Sequence, residues 1–273
     1  MKPALRYYGG KQNMLPHIIP LIPDHKCYCE PFAGGATVLF RKKRVSLEII
    51  NDRNDNLINF YKVLKNKNKY KKFRKMCHET LYARSEHNKA KELYRSSTDE
   101  IERAWAFWFK INAGFSGKLD GGFCVTKDPG SSPASYRLNG YKASLDLCSQ
   151  RIERTIIENT DALKCISVYD AEYTFFYIDP PYLNADQGHY KGYSQKDFFQ
   201  LLEKISTIKG KFLISCYPDN LISTFIDKHD WNCFQVRQRI SAANRNRFPE
   251  AKRMKTEMLV WNYDAPGQME LFQ

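Results

Sequence analysis

Short β-rich runs alternating with helical patterns predict an α/β chain built on a mostly parallel sheet covered on both faces. Apolar runs over 44–51, 154–158, 173–178, 211–215, 231–236 and 257–263 each end in turn or polar residues, as strands do. Helical periodicity over 194–208 and 220–229 fills two of the intervals. At 273 residues the chain can form one sizeable α/β domain with an insertion, or two small domains. Ligand sites in such sheets lie at the carboxyl ends of the strands, so the chemistry is expected there.

The middle of the chain breaks the alternation. Residues 54–113 read as nearly continuous helix, with Trp105, Phe107, Trp108 and Phe109 supplying its apolar weight. This is the pattern of an inserted domain. The glycines of 114–123 and the Asp120-Gly121 pair predict a β-hairpin after it, and 128–133 read as loop. Asp264-Ala265-Pro266-Gly267 closes the last strand and leaves 268–273 as an expected tail. The expected division is a discontinuous catalytic domain over 1–55 and 153–264, an insertion over 56–152 and a flexible tail over 265–273.

Forty-three Lys and Arg against 30 Asp and Glu give a formal net charge of +13, which favours a polyanionic partner. Lys69-Tyr70-Lys71-Lys72-Phe73-Arg74 mixes cations and rings as phosphate contacts and base stacking require, and a solvated amphipathic helix explains the stretch equally well. The clusters 62–75 and 237–255 hold eight and seven basic residues. None of the eight cysteines is spaced as C-x-x-C, and Cys27-Tyr28-Cys29 is expected to send its side chains to opposite faces of a strand. Reduced, mostly buried thiols are therefore expected, with no metal. No apolar run approaches the roughly 20 residues that cross a bilayer. The N-terminus Met1-Lys2-Pro3-Ala4 lacks a signal-peptide core, so a cytoplasmic protein is expected.

Cys29-Glu30-Pro31-Phe32-Ala33-Gly34-Gly35-Ala36 lies between an expected strand and an expected helix. Its glycines allow a tight turn and close approach to a ligand at a helix N-terminus. The spacing is not G-x-G-x-x-G, so dinucleotide binding is poorly supported. Ile49-Ile50-Asn51-Asp52 then reads as a strand ending in a carboxylate, placed either to accept ribose hydroxyls or to cap the next helix.

Asp179-Pro180-Pro181-Tyr182 is the sharpest motif, because the buried-strand run 173–178 stops abruptly at two prolines. An NH2 group can donate its hydrogens to the Asp179 carboxylate and the Pro180 carbonyl, which aims the nitrogen lone pair at an electrophile. Tyr182 offers a face on which a planar acceptor stacks. The same geometry suits a DNA adenine, an RNA adenine or a protein glutamine amide, and a catalytically inactive DNA-binding module is the non-enzymatic alternative.

Arg6-Tyr7-Tyr8-Gly9-Gly10-Lys11, Glu30 to Ala36, Asn51-Asp52 and Asp179 to Tyr182 occur in the order found in Dam-like (D12 class) DNA adenine N6-methyltransferases, and the chain resembles that family from Tyr7 to Tyr263. The resemblance implies a Rossmann-like fold that uses S-adenosylmethionine, with an inserted helical target-recognition region and hairpin. It implies Asp179, Pro180, Pro181 and Tyr182 as the catalytic motif acting on an adenine flipped out of double-stranded DNA. Tyr7, Gly10, Lys11, Glu30, Pro31, Phe32, Gly34, Asp52, Asp161, Ala162 and Asp179 are the implied cofactor residues, with a solvated surface lysine as the alternative for Lys11. Asn112, Phe115, Ser116, Lys118, Lys127, His189 and Tyr190 are the implied DNA contacts, with His189 either a general base or a neutral loop histidine. Gln268-Met269-Glu270-Leu271-Phe272 resembles the Q-L-x-L-F peptide that binds bacterial sliding clamps, with Met269 replacing leucine. Folding back of Leu271 and Phe272 onto the enzyme is the alternative.

Overall fold

The computed structural model describes residues 3–126, 134–183, 192–239 and 254–266. Its strands are β1 (Cys27–Glu30), β2 (Leu47–Asn51), β3 (Ile156–Glu158), β4 (Thr174–Ile178), β5 (Lys211–Cys216), β6 (Asn232–Arg239) and β7 (Met254–Trp261). They form one sheet in the order β3-β2-β1-β4-β5-β7-β6. Neighbours from β3 to β5 pair in parallel, while β7 runs antiparallel to both β5 and β6. The strand order reverses between β1 and β4, which opens a crevice at their carboxyl ends.

Burial on both faces explains the apolar run of β4, and β1 is likewise buried at every residue. Tyr28, Phe175, Tyr177, Leu213, Leu259 and Trp261 face one core; Cys29, Phe176, Ile178, Ile214 and Val260 face the other. Cys27 and Cys29 share this second core, contrary to the expectation that they diverge, because residues two apart on a strand point the same way. Cys29 Sγ lies 3.7 Å from Cys165 Sγ, and every described cysteine is a free thiol.

The helices are α1 (Leu15–Ile18), α2 (Thr37–Arg41), α3 (Asp55–Lys65), α4 (Lys67–Glu79), α5 (Arg84–Ser96), α6 (Glu100–Ala113), α7 (Ala134–Ile152), α8 (Ala162–Tyr169), α9 (Gln195–Ile205) and α10 (Asn220–His229). The expected long helix over 54–113 is thus four helices. Asn54 caps the start of α3, and Asn66 and Asp99 interrupt the run by capping α4 and α6 with their side chains. Phe60, Phe73, Phe107 and Trp108 from this region join the same core as Tyr28 and Ile50 of the sheet, so the insertion and the sheet share one hydrophobic interior.

The expected hairpin over 114–123 is instead a loop. A short 3-10 turn covers Phe115–Gly117, and a single antiparallel bridge joins Gly114 to Phe123. The turn itself falls where expected, with the Gly121 amide donating to the Lys118 carbonyl at 3.1 Å. Strands do not extend from it because the chain packs against the N-terminal segment. Gly117 has φ +70°, and a Cβ there would stand 2.0 Å from the Arg6 carbonyl oxygen. Asn112 fastens that segment from below, donating to the Ala4 carbonyl at 3.0 Å and accepting from the Arg6 amide at 2.8 Å.

Much of the basic cluster 62–75 is engaged by neighbouring acids. Lys67 pairs with Glu153, Lys69 with Glu100, Arg74 with Asp146 and Lys75 with Glu79. No helix among the described residues is long and apolar enough to cross a membrane. Residues 128–133, most of 237–255 and the tail 268–273 lie outside the described residues.

Candidate active site

The turn after β1 brings backbone to the mouth of the crevice. Gly34 has φ +46° and Ala36 φ 47°, so two left-handed residues bend the chain from the strand into α2. A Cβ on Gly35 would approach the Tyr7 Cβ to 3.0 Å, which shows how closely the N-terminal segment packs on this turn. Asp52, at the end of β2, accepts the Gly34 amide at 3.0 Å and the Asn54 amide at 2.9 Å. Asn54 rather than Asp52 caps α3, which removes the capping alternative for Asp52.

Asn51 ties together the ends of three strands. Its side chain donates to the Pro31 carbonyl at 2.9 Å and the Thr160 carbonyl at 3.1 Å, and it accepts the Thr160 amide at 2.9 Å. Its backbone carbonyl accepts the Ala33 amide at 2.8 Å. The segments after β1, β2 and β3 are thereby held in one rim. Glu30 lies beneath that rim at 2 % exposure and accepts from the Tyr28 hydroxyl at 2.5 Å and the Leu39 amide at 2.7 Å. Burial pushes its carboxyl up to about 7, against the pull of these two donors.

On the other side of the reversal, Asp179 stands where β4 stops. The prolines end its hydrogen-bond ladder and turn the chain across the crevice. Lys11 reaches Asp179 from the N-terminal segment, Nζ to Oδ1 2.8 Å, with side chains only 7 % and 20 % exposed. The surface-lysine alternative for Lys11 is therefore excluded. The same ammonium donates to the Gly9 carbonyl at 2.9 Å and lies 4.7 Å from the Tyr182 ring centroid. Ser215, from β5, donates to Asp179 Oδ1 at 3.2 Å and is 3.1 Å from the Tyr177 hydroxyl. Burial raises the Asp179 carboxyl above its usual range, Lys11 and Ser215 oppose that rise, and the charge of Glu257 adds to it.

Beside Asp179 a cavity of about 160 Å³ is lined by Pro180, Pro181, Tyr182, Leu183, Tyr217 and neighbouring residues. The Tyr182 and Tyr217 rings meet edge to face, 4.6 Å between centroids. The cavity's size and aromatic wall suit one planar ring.

The structure thus gathers Tyr7, Gly10, Lys11, Pro31, Phe32, Gly34, Asp52 and Asp179 to Tyr182 around one crevice. Phe32 meets Tyr193 edge-on, 6.3 Å between centroids. Asp161 sits on the β3 side, where it caps α8 by accepting the Leu163 and Lys164 amides, and Ala162 behind it is buried. Its second oxygen is 3.8 Å from Arg53, with both side chains well exposed. Of the expected DNA contacts, Phe115 is 62 % exposed and Lys118 lies 4.9 Å from the Tyr8 ring. Asn112 is 4 % exposed and engaged with the N-terminal backbone, so it supports the loop from within the core. Lys127, His189 and Tyr190 lie outside the described residues, and Ser116 is placed by its backbone alone. Ser215, Tyr217 and Glu257 were not singled out in the sequence. The signal for Ser215 and Tyr217 was available in the polar and aromatic residues that end the β5 run before Pro218, whereas Glu257 lies on β7 and had no such signal.

A sheet reversing between β1 and β4, a glycine turn facing a β2 carboxylate, and Asp-Pro-Pro-Tyr across the crevice define a Rossmann-like methyltransferase. Residues 7–237 match the D12 class N6 adenine-specific DNA methyltransferase family, and the chain belongs to it. It is a site-specific adenine DNA methyltransferase, with S-adenosylmethionine as the methyl donor that this family implies. The chain is 25 % identical over 299 aligned residues to a type II methyltransferase of Lactococcus lactis subsp. cremoris, covering 96 % of each chain. It is 28 % identical to a type II methyltransferase of Methanocaldococcus jannaschii, covering 72 % of this chain and 75 % of the relative. It is 23 % identical to the DNA adenine methylase of Haemophilus influenzae, covering 84 % and 80 %.

The contact between Gly35 and Tyr7 generates a test. Gly35→Ala is expected to force the turn and the N-terminal segment apart and to weaken S-adenosylmethionine binding roughly tenfold, equivalent to ~1.4 kcal/mol. Calorimetric titration reads this directly; unchanged affinity in the folded variant rejects the tight-packing account.

Proposed function

We propose that the acceptor is an adenine extruded from double-stranded DNA into the cavity beside Tyr182, its N6 held by the Asp179 carboxylate and the Pro180 carbonyl. The observation that carries this reading is the partly buried Asp179 at the end of β4, paired with the buried Lys11 beside an aromatic-walled cavity. Asp179 and Pro180 accept the two N6 hydrogens, so the nitrogen lone pair is directed away from both acceptors. Tyr182 stacks on the ring and fixes its plane. Positioning and exclusion of water carry most of the rate enhancement, with no covalent enzyme intermediate.

The cofactor's place is the β1–β2–β3 rim, and the donor set there fits it. Asp52 and Asp161 supply carboxylate acceptors suited to ribose hydroxyls and an adenine amine, Phe32 supplies an aromatic face, and the Gly34 turn lets backbone approach. Tyr7, Gly10 and Lys11 close the rim from the N-terminal side, Pro31 and Ala162 complete its walls, and Glu30 supports it from below. Bound there, S-adenosylmethionine supplies an electrophilic methyl group on sulfur.

Residues 1–55 and 153–264 form the catalytic part in this reading, and 56–152 the target-recognition part. Phe115, Ser116 and Lys118 approach DNA from the loop after α6, with Lys127, His189 and Tyr190 completing the contact and Asn112 holding the loop's base. The family and the basic charge support a cytoplasmic protein that works on DNA.

Asp179→Ala is expected to lower methyl transfer by at least about 10²-fold while the variant stays folded and binds cofactor. Near-normal turnover, measured by tritiated methyl incorporation into DNA, removes Asp179 from the reaction. Lys11→Met tests the electrostatics. The reaction needs the Asp179 carboxylate ionised, burial already raises that carboxyl, and loss of the ammonium raises it further. Activity falls as pH drops through the Asp179 value, so the acid limb of the kcat/KM profile is expected to move to higher pH. An unmoved limb sinks the role given to Lys11. For the tail, calorimetric titration of a bacterial sliding clamp is expected to show binding that a Gln268→Ala, Leu271→Ala, Phe272→Ala triple variant loses; equal binding by both proteins, or none, rejects that partner.

A further inference from the structure

Glu257 is a buried carboxylate that the reaction described above leaves unused. It lies on β7, and its strand neighbours Leu259 and Trp261 pair with Ser215 and Leu213 of β5. Residues two apart share a face, so Glu257 is on the side of the sheet that carries Ser215 and Tyr177. The β5–β7 pairing ends at Cys216 and Met258, which sets Glu257 just past the end of β5, level with Tyr217.

At 2 % exposure Glu257 accepts on one oxygen from Lys255, whose ammonium is also 5.8 Å from the Tyr217 ring centroid. Its other oxygen, Oε2, is buried without a hydrogen-bond partner among the described residues. The Tyr182 hydroxyl is likewise buried and without a partner among them. Ser215 also faces that hydroxyl but is already engaged with Tyr177 and Asp179. An acceptor lacking a donor and a donor lacking an acceptor thus flank the same ring, Tyr217, which packs on Tyr182. Leaving such groups unmet in a buried site carries their full desolvation penalty. The charge of Glu257 also helps raise Asp179, Tyr182 and Tyr217, which places all three within its electrostatic reach.

We infer that Glu257 is a positioning residue of the acceptor site: it receives the Tyr182 hydroxyl when the ring seats against the acceptor base. Lys255 fixes the carboxylate on β7, Tyr217 bounds the ring from the side, and the pairing sets the plane on which adenine stacks. Glu257 touches neither cofactor nor acceptor and acts through Tyr182. The inference rests on the reading of Tyr182 as the stacking platform.

A double-mutant cycle tests it, with methyl transfer from S-adenosylmethionine into unmethylated plasmid DNA for the full chain and for Tyr182→Phe, Glu257→Gln and their combination. Each single variant is expected to lose about tenfold in kcat with little change in KM for S-adenosylmethionine, and the double variant to lose no more than either. A merely structural Glu257 would not couple to one hydroxyl. Losses that multiply, a Glu257→Gln enzyme at wild-type turnover, or a change confined to KM overturns the inference. Should Glu257→Gln not fold, Tyr182→Phe decides alone, because it removes only a hydroxyl the fold leaves unpartnered; wild-type turnover there also overturns it. Tyr182→Ala separates the two levels. If Tyr182→Ala remains active, the stacking platform itself fails; if it is inactive while Tyr182→Phe is normal, the platform stands and the pairing with Glu257 falls.

Discussion

The largely buried ion pair between Lys11 and Asp179 is the constraint around which the site is organised. Removing either charge from water costs several kcal/mol, and the mutual attraction repays this only when further hydrogen bonds satisfy both groups. The Gly9 carbonyl and the Tyr182 ring take up the ammonium, while Ser215 takes up the carboxylate. The N-terminal segment must therefore lie across the end of β4. Asn112 and the close packing of Tyr7 on Gly35 hold it there. The pair joins the two sides of the crevice, because Lys11 belongs to the segment packed on the β1 turn and Asp179 to the β4 side.

Asn51 performs the corresponding task without charge. One amide side chain engages the segments after β1 and β3 and leaves its neighbour Asp52 to brace the glycine turn. Such a rim is rigid because its polar groups are used on one another. The carboxylates beside it differ in purpose for the same reason. Glu30 is sealed beneath the turn and pushed up to about 7, whereas Asp161 stays in contact with solvent and with Arg53.

Charge shows where composition stops being a guide. A net charge of +13 fits a protein that acts on DNA, and the family bears this out. Yet in the basic run over 62–75, four of the eight cations are occupied by Glu79, Glu100, Asp146 and Glu153. Its cations help dock helices, and exposed ion pairs of this kind contribute little each. A count of Lys and Arg cannot distinguish a cation facing phosphate from one facing a neighbouring carboxylate.

The alternating pattern, the double proline after an apolar strand, the glycine turn and the carboxylate after β2 were legible in the chain because each depends on local rules. Period-two burial, missing amide donors and left-handed backbone are properties of a few adjacent residues. For that reason α10 falls where its periodicity predicts, and β4 within a residue of it. The breaks at Asn66 and Asp99, the loop in place of a hairpin at 114–123, the burial of Lys11 and Asn112, and the convergence of Ser215, Tyr217 and Glu257 on Asp179 were decided only in three dimensions. Each depends on what distant segments place beside it. Gly117 turns against Arg6, Lys11 finds Asp179 across the sheet reversal, and β7 inserts antiparallel beside β5 so that a late acidic residue reaches the carboxyl end of an early strand. Local sequence sets which backbone shapes are affordable, and long-range packing sets which side chains share low-dielectric space, where their charges and hydrogen bonds acquire their strength.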